Sequence, residues 1–292
     1  MSEHSKKRLP AALLVAIATL AAGEAVADPA LWAVGSRGNT VYVFGSVHLL
    51  PEGGFAIGGA LAEALEDAER VCLELDPDEH DEADTMRLTL ARAIDPEGRS
   101  LFDLLGPDAD RVRASAEAAG IDIAQFAAFE PWFAGLTVSL LALQQHGYDG
   151  KHGVEMIIQA AAKEEGKPVC ALETLDAQLA MLDGMSARSQ RDLLLQAIDE
   201  ADEVDELIRP LLAAWRDGDK AYMERRLAED IADYPDLADP LIFDRNERWA
   251  DQVSEMLEGD DDVLVVVGAM HLVGERGLPA LLEERGFRVE EL

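Results

Sequence analysis

One pattern occurs twice in this chain, once near each end, and it constrains the fold more than any other feature. Residues 41–49 read V-Y-V-F-G-S-V-H-L and residues 263–272 read V-L-V-V-V-G-A-M-H-L. Each is a short apolar run rich in β-branched or aromatic residues, the signature of a buried strand, followed by Gly-x-x-His and Leu. The glycine marks where the backbone leaves the strand with unusual freedom. Each copy therefore delivers a histidine, His48 or His271, to a loop just past a strand end. The segments downstream of the two histidines repeat as well. After His48 come a Gly/Pro turn, a helical stretch at 60–68 and V-C-L-E-L ending at Leu75; after His271 come Gly274, Gly277, a helical stretch at 279–285 and R-V-E-E-L. Two strand–GxxH–helix–strand units facing each other would bring two imidazoles and nearby carboxylates together, which is metal-ligand chemistry.

The remaining strand signals are few: residues 31–34, 41–45, 70–75, 167–172, 263–268 and 287–292. The pair 31–34 and 40–44 is separated by residues 35–39, the spacing of a hairpin. Between the ends the chain is helical by period and by its Ala, Leu, Glu and Arg content. Helices are expected at 84–93, 100–105, 108–119, 123–129, 132–145, 153–165, 176–182, 186–212, 220–232 and 244–258. Strand–helix alternation at the two ends argues for α/β: a central mixed sheet built from the two repeat units, with a large helical insertion at about 84–262.

The first residues stand apart from this fold. Lys6, Lys7 and Arg8 precede an apolar run at 11–22, and Ala25-Val26-Ala27 has the small-x-small form of a cleavage site. Residues 1–27 therefore read as a secretory signal peptide, which leaves residues 28–292 as one α/β domain, periplasmic or secreted, with no membrane span. Its 49% hydrophobic residues suffice for a large core. With 58 acidic against 25 basic residues the net charge is −33, a surface that repels nucleic acid and anionic lipid. Solubility, or a salty habitat, is the plainest account of that acidity. Cys72 and Cys170 lie in V-C-L-E-L and V-C-A-L-E, each shortly before a glutamate. An exported chain can form a disulfide, but buried free thiols are the simpler expectation, since free Cys packs as a small hydrophobe.

Of the histidines, only His48 and His271 share a context. Imidazole is both a common metal ligand and an acid or base near neutral pH. Glu74 sits near the end of a hydrophobic strand, where a carboxylate is costly unless paired, metal-bound or at the tip; Glu173 in V-C-A-L-E-T is similar. Glu155 in G-V-E heads a helix, where it either joins the site or simply favours the helix dipole. Arg245 can clamp a substrate carbonyl or form a structural ion pair. Two histidines with carboxylates suit Zn²⁺, Mn²⁺ or Fe²⁺, with one glutamate as ligand or general base. No phosphate loop, G-x-S-x-G elbow or HExxH occurs.

With L-W-A-V, V-F-G-S-V-H-L-L-P, C-L-E-L-D, E-P-W, G-V-E, G-K-P-V-C-A-L-E-T-L-D-A-Q, A-W-R-D-G-D, R-N-E-R-W and V-V-V-G-A-M-H-L-V-G, the chain resembles the TraB/GumN family. Its animal members are the TIKI proteases, and the wider superfamily includes erythromycin esterases and haem-binding ChaN proteins. The resemblance implies one cleft lined by both GxxH histidines and strand-borne glutamates, supporting hydrolysis of a peptide, or a related small amide or ester, with Mn²⁺, Co²⁺ or Zn²⁺. On this chain the metal ligands would be His48, His271, Glu155 and Glu173, with Glu74 and Arg245 catalytic. A haem or metal carrier of the ChaN type, without turnover, is the alternative. A helical interaction protein whose histidines merely satisfy the core is the third.

Overall fold

The computed structural model describes residues 29–36, 38–233 and 235–292; the leader expected over residues 1–27 lies outside the described residues. All six expected strands form: β1 (Leu31–Gly35), β2 (Thr40–Ser46), β3 (Arg70–Leu73), β4 (Val169–Ala171), β5 (Val263–Gly268) and β6 (Arg288–Glu291). Every residue of β5 is buried, as a strand covered on both faces must be. It pairs in parallel with β2 on one side and β3 on the other, and β4 continues in parallel beyond β3. The hairpin strand β1 runs antiparallel to β2 and to the edge strand β6. The sheet order is β4-β3-β5-β2-β1-β6.

Thirteen helices accompany this sheet among the described residues. They are α1 (Gly59–Asp67), α2 (Glu82–Ala93), α3 (Leu101–Leu105), α4 (Ala109–Ala118), α5 (Pro131–Gln145), α6 (Val154–Glu164) and α7 (Leu175–Asp183). Next in the chain come α8 (Ala187–Glu200), α9 (Val204–Arg216), α10 (Lys220–Asp233), α11 (Pro235–Ala238), α12 (Asp244–Met256) and α13 (Leu278–Glu284), with a π-helical turn at Asp239–Phe243 before α12. None is long and apolar enough to cross a membrane.

The two repeat units, β2–α1–β3 and β5–α13–β6, interleave: β5 lies between β2 and β3, and β2 lies on the path from β5 to β6. They leave the sheet centre in opposite directions. Right-handed crossovers therefore put their helices on opposite faces. Leu61, Ala64 and Leu65 of α1 pack with Phe44, Leu264 and Val266; Leu278, Leu281 and Leu282 of α13 pack with Val43, Val265 and Val267. Burying each leucine, valine or phenylalanine among them contributes about 1.5–3 kcal/mol. Adjacent parallel strands with diverging connections form the switch point of an open α/β sheet, and the crevice past their C-terminal ends is where such sheets bind ligands. Here β2 and β5 are that pair, ending in register at Ser46 and Gly268.

Three expectations are corrected. The helix foreseen at 186–212 is two helices, α8 and α9, broken at residues 201–203. Asp199, Glu200, Asp202 and Glu203 crowd like charge onto that stretch, which opposes an uninterrupted helix. The helix foreseen at 123–129 is only a 3₁₀ turn, Ile123–Phe126. And the cysteines are not free thiols: Cys72 and Cys170 form a disulfide. They stand opposite each other in the parallel β3–β4 register, with Cα atoms 4.4 Å apart, a proximity that only strand pairing reveals.

Candidate functional site

The loop after β2 is moored to the start of α6. Val154 donates its N–H to Val47 O at 3.1 Å, and a two-bond bridge joins Leu50 to Asp149. This mooring needs a glycine: a Cβ on Gly153 would lie 2.3 Å from His48 O. The close approach carries Glu155, in the first turn of α6, under the loop. Its Oε1 lies 2.6 Å from His48 Nδ1 and also accepts a hydrogen bond from the Ser46 hydroxyl. The other edge of the imidazole faces inward, with Nε2 3.8 Å from Glu74 Oε1, while the His48 side chain is 55% exposed.

Strand β3 ends at Leu73, so Glu74 is the first residue beyond it rather than part of it, and it is only 5% exposed. Its Oε1 accepts the Gly268 N–H at 2.6 Å, and its Oε2 accepts Arg245 Nη2 at 2.5 Å. Glu173, just past β4, binds the same guanidinium through Nη2 at 2.5 Å and Nε at 3.1 Å. Arg245 Nη1 reaches Leu241 O, inside the π-helical turn, and His271 Nε2, both at 3.2 Å. Arg245 thus directs its donors at protein acceptors. Its guanidinium also lies 4.5 Å from the Trp249 ring centroid, and that ring stacks on His271 at 4.6 Å.

His271 is 4% exposed, and Asn246 decides its tautomer. The Asn246 amide donates to His271 O at 3.1 Å and Arg276 O at 2.8 Å. Its Oδ1 must then be an acceptor, and it lies 2.7 Å from His271 Nδ1. The proton therefore sits on Nδ1, and the Nε2 lone pair, on the cleft side, accepts from Arg245 Nη1.

Electrostatics separate the four central groups. Burial, with the nearby positive charges of Arg245 and His48, pushes His271 down to about 3, although Glu74 pulls the other way; it is a neutral imidazole. For His48, desolvation opposes the charge, but the hydrogen bond and charge of Glu155 and the charge of Glu74 prevail, raising it to about 9. Burial would raise Glu74; Arg245, the histidines and the Gly268 N–H outweigh it and hold the carboxyl below its usual range. The proximity of Glu74 and Glu173 likewise secures the Arg245 charge against desolvation.

Gly268 keeps the middle of this group clear. A Cβ there would stand 3.3 Å from Glu74 Oε1, 3.4 Å from His48 Nε2 and 3.5 Å from His271 Cδ2. The donor set suits a divalent ion in one respect that matters: metal-binding imidazoles have their second nitrogen held by an outer partner. Both Nδ1 atoms are so held here, by Glu155 and Asn246, leaving both Nε2 atoms inward. Among the described residues no three His, Cys, Asp or Glu groups form a ready-made cluster, since Arg245 bridges His271 Nε2 and Glu74 Oε2. Glu155 backs His48 and Glu173 backs Arg245, so neither faces the central space.

A cavity of about 290 Å³ opens beside His48 and His271, walled chiefly by apolar side chains of α9 and of the loops after β2 and β5. Sequence reasoning brought forward His48, Glu74, Glu155, Glu173, Arg245 and His271, and the structure gathers all six here. It missed Asn246, Ser46 and Gly153. For Asn246 a signal existed: a polar pair, Arg245-Asn246, on a face of α12 that also carries Trp249 and Val253.

A family model described as the TraB/PrgY/gumN family matches residues 30–291. The chain is 27% identical over 163 residues to a protein named "Uncharacterized protein YbaP" from Escherichia coli (strain K12), and to the protein of that name from Shigella flexneri. Each match covers 56% of this chain and 60% of the relative's length. No solved structure matches.

Proposed function

Because the chain belongs to the TraB/PrgY/gumN family, we propose that it is an exported, metal-dependent hydrolase cleaving a peptide bond or a related amide or ester. One observation carries this reading: both GxxH histidines turn Nε2 inward beside Glu74 at a single strand-end crevice, each with Nδ1 held from outside. His48, His271 and Glu74 would hold the ion, which supplies Lewis-acid polarisation of the scissile carbonyl.

The rest belongs to the chain's own side chains. Asn246 Oδ1 and Glu155 Oε1 hold the Nδ1 edges of the two imidazoles, so both Nε2 atoms point inward; an ion would have to displace the second proton of His48 and the Arg245 Nη1 donor at His271 Nε2. Arg245 neutralises Glu74 and Glu173 together and fixes where Glu74 points. The low basicity of Glu74 suits holding a cation better than taking a proton. The apolar walls give the acyl side of the scissile bond a surface without competing polar groups. Export is supported by the basic-then-apolar leader and by the Cys72–Cys170 disulfide, a bond that persists in oxidising compartments.

The test is equilibrium dialysis of residues 28–292 against micromolar Mn²⁺, Co²⁺ or Zn²⁺, beside the His48→Ala/His271→Ala double variant. One ion per chain, lost in the variant, together with EDTA-sensitive hydrolysis of a peptide and ester panel, is the expected result. No ion bound by either protein would sink the reading.

A further inference from the structure

We infer that the substrate carries a long aliphatic acyl chain, seated in an apolar channel that begins at His48 and His271, and that Met270 sets the length admitted. The bond cleaved rests on the hydrolase reading above; the seat for the chain rests on the cavity alone.

The walls of the 290 Å³ cavity include Leu143, Ile208, Leu211, Trp215, Ile242 and Met270, and its polar lining is confined to Ser46, His48 and His271. Those polar groups are largely engaged: Ser46 with Glu155, and His271 with Asn246 and Arg245. Trp215 has given its N–H to Gly45 O at 2.8 Å, so it shows the cavity only its ring. Two more cavities, of about 280 Å³ and 190 Å³, lie behind the first, and Met270 lines all three. Its unbranched, flexible side chain stands where the three adjoin, so its rotamer would set the passage between them. At the far side Gln196, Glu200 and Arg226 pair with one another.

This lining discriminates between occupants. A buried peptide brings an N–H and a C=O at each residue, and each needs a partner; the side chains walling the first cavity away from the histidines offer none, and polar ones (Ser139, Gln196, Glu200, Arg226, Asp230) enter only in the two further cavities. A methylene chain brings no such demand and gains affinity with every group buried. In the reaction, the water oxygen bonds to the acyl carbon as its C–O or C–N bond breaks. One water proton goes to the leaving alcohol or amine, and the other is released as the acid ionises.

The seat is tested by calorimetric titration of the mature chain, in EDTA, with octanoate, decanoate, dodecanoate and tetradecanoate. Affinity should rise about fourfold per added methylene and then level off. Met270→Ala should move the levelling point to a longer chain, and Leu211→Trp should flatten the series while circular dichroism stays native. His48→Ala should weaken all four acids alike and keep the slope, which separates this result from any failure of the metal site. A flat series in the wild-type chain, or tighter binding of an acetylated, amidated Leu-Val-Leu-Val-Leu peptide than of dodecanoate, would overturn the inference. So would a Met270→Ala series identical to the wild type.

Discussion

His48 and His271 carry the same side chain in the same motif, yet their surroundings drive them apart. One is half in solvent against two carboxylates; the other is enclosed, with Arg245 at its free nitrogen. That difference sets the sign of each one's pH linkage. The folded value of His271, about 3, lies below its ordinary 6.5, so below pH 6.5 the unfolded chain takes a proton that the folded chain refuses. Stability falls with pH there, by about 1.5–2 kcal/mol between pH 6.5 and 5. His48, raised to about 9, adds almost no slope in that window, because its stabilisation is already complete below 6.5; it is lost as pH climbs through 9. Urea midpoints in EDTA should show the acid slope in the wild type and a shallower one in His271→Phe; equal slopes would assign it elsewhere. Asn246 acts through His271. Asn246→Leu keeps the volume but frees the tautomer, and Co²⁺ affinity, read from its absorption bands, should drop about 10–100-fold.

At the scale of elements, the disulfide joins β4 to β3, the strands that launch Glu173 and Glu74. Strand β4 is a three-residue edge strand, too short to hold its place by ladder bonds alone. Its bridge closes a sequence separation of 98 residues, which in the chain-entropy account contributes about 4–5 kcal/mol. Cys72→Ala/Cys170→Ala should lose most of that in urea unfolding. Amide exchange should quicken at Val169–Ala171 while β2 and β5 stay protected; uniform quickening would mean the bridge serves global stability only. Strand positions were legible because buried runs and the glycines that end them are local signals. The break between α8 and α9 was not, since like charge at 199–203 opposes a helix by only about a few tenths of a kcal/mol, a signal too weak to mark a turn.

For the whole molecule, the net charge of −33 is a destabilising self-repulsion over a folded surface. Many of the ion pairs among the described residues are exposed, such as Arg87–Asp84 and Arg288–Glu290, and pairs of that kind contribute about 0–1 kcal/mol. Screening should therefore stabilise the fold: raising NaCl from about 0.05 to about 0.5 M shortens the Debye length to well under 10 Å, and the urea midpoint should move upward. A midpoint that falls would show that local pairing outweighs the excess charge.

The α/β class, the helical middle and two histidines at strand ends were determined by the sequence alone, because each depends on neighbours a few residues away. Tertiary structure decided which atoms meet. Pairing β2 beside β5, in register at Ser46 and Gly268, sets His48 next to His271. Pairing β3 beside β4 makes the disulfide and aims two glutamates at Arg245. Docking α6 and α12 supplies Glu155 and Asn246 behind the two rings. Those contacts join residues far apart in the chain, and what selects them is the burial of both sheet faces at once, a property that no local window of sequence contains.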